Sequence, residues 1–390
     1  MKILVLAPHP FFQPRGTPIA VRQLLEFLSG EGHEVDVLTY HEGTDIDIPH
    51  CAVYRIPALP GIHGIRPGFS LKKVCCDAVM FAKSLRMVRR NHYDLVHAVE
   101  ESVFMAAVIR RLFGIPFIYD MDSALAEQMI EKHARLEPFR RRMQAAEGQV
   151  VRGSLGVLAV CPALVSRVQN FDRTKLVACV EDASLLGAVP PGIEVLRGAL
   201  GAADPLVMYV GNLERYQGVD LLLESFATAL AELPAARLVV VGGAPRDVAA
   251  YRRKAADSGL ADRVHFIGPR PLEMLRGYLQ QADILVSPRL MGNNTPMKIY
   301  SYLDSGVPIL ATRLPTHTQV LDDSIACLAS ASPEMFGAAL VRLAQDPAYR
   351  KRLGQNARER VQLNFTPEAT RGKLRRFYQA VSSELALSRQ

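Results

Sequence analysis

Two kinds of segment alternate along this chain. Short apolar runs rich in Val, Ile and Leu are separated by longer stretches in which apolar residues recur at helical spacing. This alternation is typical of βαβ units and a parallel sheet. It occurs twice and predicts strands at 2–7, 34–39, 94–97, 116–119 and 156–160, and then at 205–210, 237–241, 263–267, 283–286, 308–311 and 325–328.

The segments between these runs predict the helices and the domain boundary. Helices are expected at 18–30, 218–232, 245–258, 271–281, 296–305, 333–345 and 366–388. Glycines and prolines cluster within 184–204 without a strong strand, which indicates an interdomain linker. We therefore predict an α/β protein with two doubly wound, Rossmann-like domains, 1–183 and 205–365, that face a cleft at the carboxyl ends of their strands.

Composition narrows the class of protein. The 390 residues are 49% hydrophobic and 22% charged, which excludes a disordered, collagen-like or coiled-coil chain. No apolar stretch reaches the roughly 18 residues that a membrane-spanning helix needs, and the first run stops at Pro8 without a leader cleavage site. The six cysteines lack C-x-x-C spacing, which favours free thiols over disulfides or zinc. A cytoplasmic protein without a metal site is expected.

The net charge of +7 is concentrated in one segment of the chain. Residues 342–376 hold 10 basic and 3 acidic side chains, which equals the whole surplus. A solvated helix face explains such a stretch, and attraction to an anionic membrane surface is the alternative. Nucleic acid is not an expected partner, because no aromatic-interleaved basic stripe accompanies the charge.

In the first half, candidate chemistry follows the predicted strands. Gly16 and Thr17 open a helix after a proline-rich turn, where free N–H groups suit a phosphate or an acceptor hydroxyl. Asp120 and Asp122 follow the strand at 116–119 and could position sugar hydroxyls or act as bases. Asp122-Ser123 followed by Glu127 fits a helix capping box equally well.

In the second half, two loops combine glycine, helix starts and positive charge. Gly211 and the following helix could receive a diphosphate. The segment Asn293-Asn294-Thr295-Pro296-Met297-Lys298 follows the strand that ends near Arg289, and it predicts Thr295 as the N-cap with Pro296 at the first helical position. Because a lysine at a helix start opposes the helix dipole, Lys298 indicates a bound anion there.

Five segments in register resemble the family 4 glycosyltransferases, which are retaining enzymes of the GT-B fold. These segments are VG…GVDLLLESF at 210–226, LVVVGGAP at 238–245, VHFIGPRP at 264–271, ADILVSPR at 282–289 and SGVPILAT at 305–312. The resemblance implies transfer of a sugar from a nucleotide diphosphate sugar to a hydroxyl acceptor, without a metal or another cofactor. It also implies that the helix in 366–390 packs on the N-terminal domain.

The local chemistry and the resemblance together assign roles to individual residues. Asp122, Lys298 and Asn293 are expected to take part in catalysis. The nucleotide sugar is expected to bind Gly16, Thr17, Gly211, Asn212, Arg215, Gln217, Gly268, Arg289, Asn294, Thr295 and Ser301.

The chain departs from the family at its most characteristic positions. The family's phosphate-binding Arg and Lys correspond to Asn212 and Gln217, its two glutamates to Asn293 and Ser301, and its histidine to Asp122.

Two interpretations of these departures compete. In the favoured account Lys298, Arg289 and Arg215 neutralise the diphosphate, and Asn293 and Asn294 bind the sugar; in the other, the chain binds nucleotide sugar without catalysis. A GT-B-fold epimerase or phosphorylase is a third alternative.

The acceptor is the least determined partner. Basic residues interleaved with apolar ones at 72–90 and 132–152 predict helices that could rest on anionic lipid, which favours a glycan or lipid-linked acceptor at the inner face of the membrane. A plain solvated helix explains them equally well.

Overall fold

The computed structural model describes residues 1–13, 16–65, 70–201 and 204–388. The chain divides into two compact units, Met1–Glu181 with Arg371–Gln390, and Asp182–Thr370. Residues 184–201 and 204, from the segment predicted as a linker, therefore belong to the second unit.

The strands follow the apolar runs closely. They are β1 Lys2–Ala7, β2 Glu34–Thr39, β3 Cys51–Arg55, β4 Leu95–Val99, β5 Phe117–Met121, β6 Gly156–Ala159, β7 Val177–Cys179, β8 Leu206–Val210, β9 Arg237–Val241, β10 Val264–Gly268, β11 Ile284–Ser287, β12 Ile309–Thr312 and β13 Cys327–Ala329. The prediction missed β3 and β7, which lie at the two edges of the first sheet. Both carry short apolar runs, CAVY at 51–54 and LVACV at 176–180, but neither strand is fully buried.

The helices lie between the strands. They are α1 Gly16–Gly30, α2 Leu71–Arg90, α3 Ser102–Phe113, α4 Leu125–Lys132, α5 Arg140–Gly153, α6 Pro162–Phe171, α7 Leu196–Ala199, α8 Val219–Ala229, α9 Pro245–Asp257, α10 Leu275–Leu279, α11 Lys298–Ser305, α12 Pro315–Thr318, α13 Pro333–Gln345, α14 Pro347–Asn364 and α15 Pro367–Ser388. The predicted helix at 271–281 is a 3₁₀ turn, Leu272–Met274, followed by the short α10.

Both sheets are parallel and doubly wound. The first has the order β3-β2-β1-β4-β5-β6-β7 and the second β10-β9-β8-β11-β12-β13. In each sheet the order reverses direction beside the first strand of the unit, β1 or β8. Ligands of such sheets bind at the carboxyl ends of the strands near this point.

The last helix belongs to the first unit. Leu374, Phe377, Tyr378 and Val381 on α15 are buried in one apolar cluster with residues of β1 such as Ile3. The unit thus takes its last helix from the far end of the chain. The packing predicted for this helix is observed.

In the described part of the chain, no helix combines the length and the apolar character required to span a bilayer. All six cysteines are free thiols.

Candidate functional site

Three glycines shape the carboxyl edge of the second sheet. Gly211, Gly242 and Gly268 lie at the ends of β8, β9 and β10 with φ angles of 151°, 109° and 73°. A Cβ on Gly211 would lie 2.9 Å from the Tyr209 hydroxyl oxygen and 3.2 Å from Lys298 Nζ, and one on Gly242 would overlap the backbone of Gly211. The backbone is therefore packed closely at β8 and β9, and only glycine fits there.

The ammonium of Lys298 lies against this glycine edge. Lys298 Nζ donates a hydrogen bond to Gln217 Oε1 at 3.2 Å and lies 3.9 Å from the centroid of the Tyr209 ring. Throughout the described residues, no carboxylate comes within ion-pair distance of it. Burial and the nearby Arg289 guanidinium hold the pKa of Lys298 well below its usual range. An anion beside Gly211 would favour the charged form of Lys298 and so offset the effects of burial and of Arg289 on its pKa.

Arg289 organises the loop that precedes α11. It is 8% exposed, and its guanidinium lies over the Tyr216 ring with its carbon 5.2 Å from the centroid. Its Nε donates to Met291 O at 2.7 Å and its Nη2 to Asn294 Oδ1 at 3.0 Å. Arg289 thus lies close enough to Lys298 for its charge to lower the pKa of the lysine.

A buried histidine that the sequence did not reveal supports this loop. His317 Nδ1 donates to Thr312 O at 2.9 Å, and Nε2 accepts from Ser287 Oγ at 2.8 Å. Burial lowers the pKa of His317 to about 3, and the Lys298 and Arg289 charges add to this effect. His317 is therefore neutral, and the adjacent Thr316 holds Asn294 O through its hydroxyl at 2.7 Å.

The predicted N-cap of α11 is wrong. The helix begins at Lys298, and the residue before it, Met297, has helical backbone angles and makes no side-chain cap. The first backbone bonds of this turn run from Ile299 N to Pro296 O and from Tyr300 N to Met297 O, so Thr295 lies before it. Thr295 is 3% exposed, and its hydroxyl oxygen makes no hydrogen bond to any described residue.

The other predicted residues of this unit lie in different settings. Asn212 Oδ1 accepts from Glu214 N at 3.3 Å, which shapes the turn after β8, and Arg215 is exposed on a 3₁₀ turn. Asn293 is exposed, whereas Ser301 is 1% exposed and its hydroxyl accepts from Leu185 N at 3.1 Å. Gly268 lies where an added Cβ would meet nothing within 4 Å.

In the first unit a chain of two buried hydrogen bonds ends at Asp120. Tyr378 on α15 donates its hydroxyl to His97 Nδ1 at 2.7 Å, and His97 Nε2 donates to Asp120 Oδ2 at 3.0 Å. His97 is fully buried on β4, so the hydroxyl fixes its tautomer and the imidazole fixes the carboxylate. The sequence indicated Asp120 but neither of its partners.

The capping box predicted after Asp122 is also wrong. Helix α4 begins at Leu125 after Ala124, which makes no side-chain cap, and Ser123 Oγ instead donates to Glu100 Oε2 at 3.0 Å. Burial and the adjacent Glu101 raise the pKa of Glu100 to about 8. Asp122 is half-buried just beyond β5. Acidic groups therefore gather at the carboxyl edge of this sheet, as predicted.

Gly16 and Thr17 form the first residues of α1. Gly16 is exposed, and a Cβ added to it would meet nothing within 4 Å. Pro14 and Arg15 of the predicted loop lie outside the described residues. The helix has 15 residues, and the positive end of its dipole lies at Gly16 and Thr17.

Many charges in the predicted basic stretches have partners inside their own unit. On α2, Lys73 pairs with Glu101, and Lys72 Nζ donates to His63 O at 2.8 Å. Near the end of the chain, Arg360 pairs with Asp322 at 3.1 Å and Arg375 with Glu31 at 2.6 Å. Part of the local surplus of positive charge is therefore used in ion pairs and hydrogen bonds within each unit.

Comparison with known proteins bears on both units. Residues 15–180 match the family model "Glycosyl transferase 4-like domain", and residues 204–346 match "Glycosyl transferases group 1". Together these models cover more than three quarters of the chain. The chain is a GT4-type glycosyltransferase.

Individual relatives match over nearly the whole length. A D-inositol 3-phosphate glycosyltransferase of Corynebacterium efficiens is 26% identical, with 97% of this chain and 95% of that protein covered. A phosphatidyl-myo-inositol mannosyltransferase of Mycolicibacterium smegmatis is 24% identical, with 98% and 94% covered. Among solved structures, Anabaena HepE in complex with UDP-glucose has a TM-score of 0.72 at 18% identity, with 98% of this chain and 100% of that chain covered. The glycosyltransferase therefore has the GT-B fold.

Proposed function

We propose that this glycosyltransferase moves a sugar, with retention of configuration, from a nucleotide diphosphate sugar to a hydroxyl of a glycan or lipid-linked acceptor. The observation that carries the proposal is the ammonium of Lys298, which lies beside Gly211 without a carboxylate among the described residues. A partly buried cation against a backbone that admits no side chain suits a diphosphate.

The residues of the second unit have distinct roles in this proposal. Lys298 and Arg289 stabilise the charge that develops on the leaving diphosphate as the glycosidic bond loosens. Asn294, held by Arg289, binds a sugar hydroxyl, and exposed Asn293 lies next to it in the chain. The chemistry as proposed needs no metal ion, since protein cations neutralise the diphosphate.

Gln217 supports the relocation of a positive charge. The family's lysine corresponds to Gln217, and in this chain the ammonium that donates to the Gln217 side chain comes from Lys298. The cation has thus moved to another element while remaining close to the same position. The UDP-glucose complex of HepE, a protein of the same fold, makes a nucleotide diphosphate sugar a reasonable donor class.

The lipid-linked form of the acceptor is supported by the surface of the first unit. Leu71 is 80% exposed at the start of α2, beside Lys72, and Phe104, Val108 and Leu112 form an exposed stripe along the neighbouring α3. Apolar side chains next to basic ones favour contact with anionic lipid at the inner face of the membrane. The mannosyltransferase relative is named for a phosphatidyl-myo-inositol.

A second candidate function is binding without catalysis. Ser301, which corresponds to one of the family's glutamates, is buried and uses its hydroxyl to hold Leu185 N. That position therefore cannot contact a sugar in the way a glutamate could, which favours a non-catalytic homologue.

A two-stage experiment separates these functions. Thermal-shift screening of UDP-, GDP-, ADP- and dTDP-sugars would identify the donor, since ligand at a hundredfold excess over the dissociation constant stabilises by about 2.7 kcal/mol. The stabilising donor is then incubated with water-soluble and lipid-linked acceptors, and products are analysed by mass spectrometry and by anomeric NMR. A product with retained configuration supports the proposal, whereas stabilisation without product supports the binding protein. No stabilisation by any nucleotide sugar contradicts both.

A further inference from the structure

Two histidines and a glutamate of the first unit come together beyond the carboxyl end of β2. His41 and Glu42 follow the end of β2, and His63 lies 21 residues further along the chain from Glu42. One ring nitrogen of each histidine and one carboxylate oxygen of Glu42 lie within 4.8 Å of one another. Two imidazoles and one carboxylate form a donor set that zinc prefers.

The hydrogen bonds of His41 leave one of its ring nitrogens able to bind a metal. Its Nε2 donates to Ile62 O at 3.0 Å, so in the neutral ring Nδ1 carries the free lone pair. Nδ1 is buried and makes no hydrogen bond to any described residue. Histidines that bind metals characteristically donate their other ring nitrogen to a backbone carbonyl in this way.

The carboxylate and the second histidine are positioned by the same loop. Glu42 accepts hydrogen bonds from Gly64 N at 2.6 Å and Ile65 N at 3.0 Å, which fixes the carboxylate next to His63. The His63 ring is exposed and can rotate, which would close the ligand spacing to the about 3.3 Å between donors of a tetrahedral zinc ion.

We propose that His41, Glu42 and His63 form a zinc site that joins the end of β2 to the segment 62–65. Water would supply the fourth ligand, since the cluster provides three. The ion would tie together two segments that side-chain-to-backbone hydrogen bonds already connect. None of its three residues is among those proposed to bind the nucleotide sugar.

The test uses the full chain without a polyhistidine tag, stripped with EDTA. Zinc is titrated by calorimetry, and Tm is measured with and without it; one zinc per chain and a Tm rise of about 5 to 10 °C at a hundredfold excess are expected. Cobalt in place of zinc should give the visible bands of a four-coordinate ion without thiolate charge transfer.

Variants decide whether these residues are the ligands. His63→Ala and Glu42→Gln should weaken zinc binding by more than about 10-fold while the metal-free Tm stays close to that of the parent chain. His92→Ala, another exposed histidine of the unit, and Cys75→Ser, an exposed thiol, should bind zinc like the parent. Absence of zinc binding in the parent chain, or unchanged binding in both ligand variants, would overturn the proposal.

Discussion

At the scale of single residues, Lys298 shows how a charge can be held beside a backbone. Gln217 accepts its hydrogen bond, the Tyr209 ring lies 3.9 Å from its nitrogen, and Gly211 leaves it room. These contacts position the side-chain nitrogen but supply no negative charge. A bound anion would favour the charged form of the residue, which makes its role testable.

Lys298→Ala should lower turnover by about 100- to 1000-fold with the fold intact, because an electrostatic partner of the leaving group is lost. Steady-state rates with the donor found by screening measure this, with far-UV circular dichroism to check the fold. Lys351→Ala, an exposed lysine of the same unit, should retain full activity. An unchanged rate in Lys298→Ala would remove the residue from the site.

Moving the cation back to position 217 should rescue activity. In a Lys298→Met background, Gln217→Lys would return an ammonium close to the same point, because the two side chains are in hydrogen-bond contact. We expect the double variant to be at least about 10-fold more active than Lys298→Met. Gln217→Lys alone should lower activity, because it brings two positive charges close together. Additive losses in the double-mutant cycle would contradict relocation of the charge.

Binding of the nucleotide sugar should take up a proton. The pKa of Lys298 is lowered in the free protein by burial and by Arg289, and a bound diphosphate favours the charged form. Above the lowered pKa the ammonium must therefore form on binding, so affinity should fall as the pH rises. Calorimetry in buffers of different ionisation enthalpy measures the uptake, which Lys298→Met should abolish; a pH-independent affinity would argue against this linkage.

At the scale of elements, α15 combines packing with positioning. Its apolar face completes the core of the first unit. Its Tyr378 begins the chain of hydrogen bonds that runs through His97 to Asp120. One helix thus stabilises the sheet and fixes a carboxylate at the end of β5. The two roles can be separated by mutating different residues of the helix.

Phe377→Ala should lower the free energy of unfolding by about 3 to 5 kcal/mol, because the ring is 3% exposed and fills space next to Gly156. Leu387→Ala on the same helix is the matched control, since Leu387 is 69% exposed. That change should cost less than about 0.5 kcal/mol. Urea denaturation followed by circular dichroism gives both values, and equal effects would show that α15 does not pack as described.

At the scale of the whole molecule, chain order and domain structure differ. The second unit is one continuous stretch, Asp182–Thr370, whereas the first needs residues from both ends of the chain. The parts should therefore respond differently when the chain is cut.

A fragment of residues 182–370 should unfold cooperatively, because it contains its whole sheet and the helices that cover it. A fragment of residues 1–181 should be far less stable, since it loses α15 and leaves Ile3 and Leu28 without part of their buried environment. Adding a peptide of residues 367–388 should restore its thermal transition. Calorimetry of the three samples tests this, and an equally stable 1–181 fragment would contradict it.

The sequence determined the α/β architecture, because strands buried on both faces must be apolar along their whole length. It also indicated Gly211, Arg289 and Lys298, since a glycine turn and cations after strand ends are local features. Only the tertiary structure decided which atoms meet: the Lys298 contact with Gln217, the partners His97 and Tyr378 of Asp120, and the approach of His63 to His41. Such contacts join segments far apart in the chain. They depend on strand order and loop paths, which no local pattern of residues encodes.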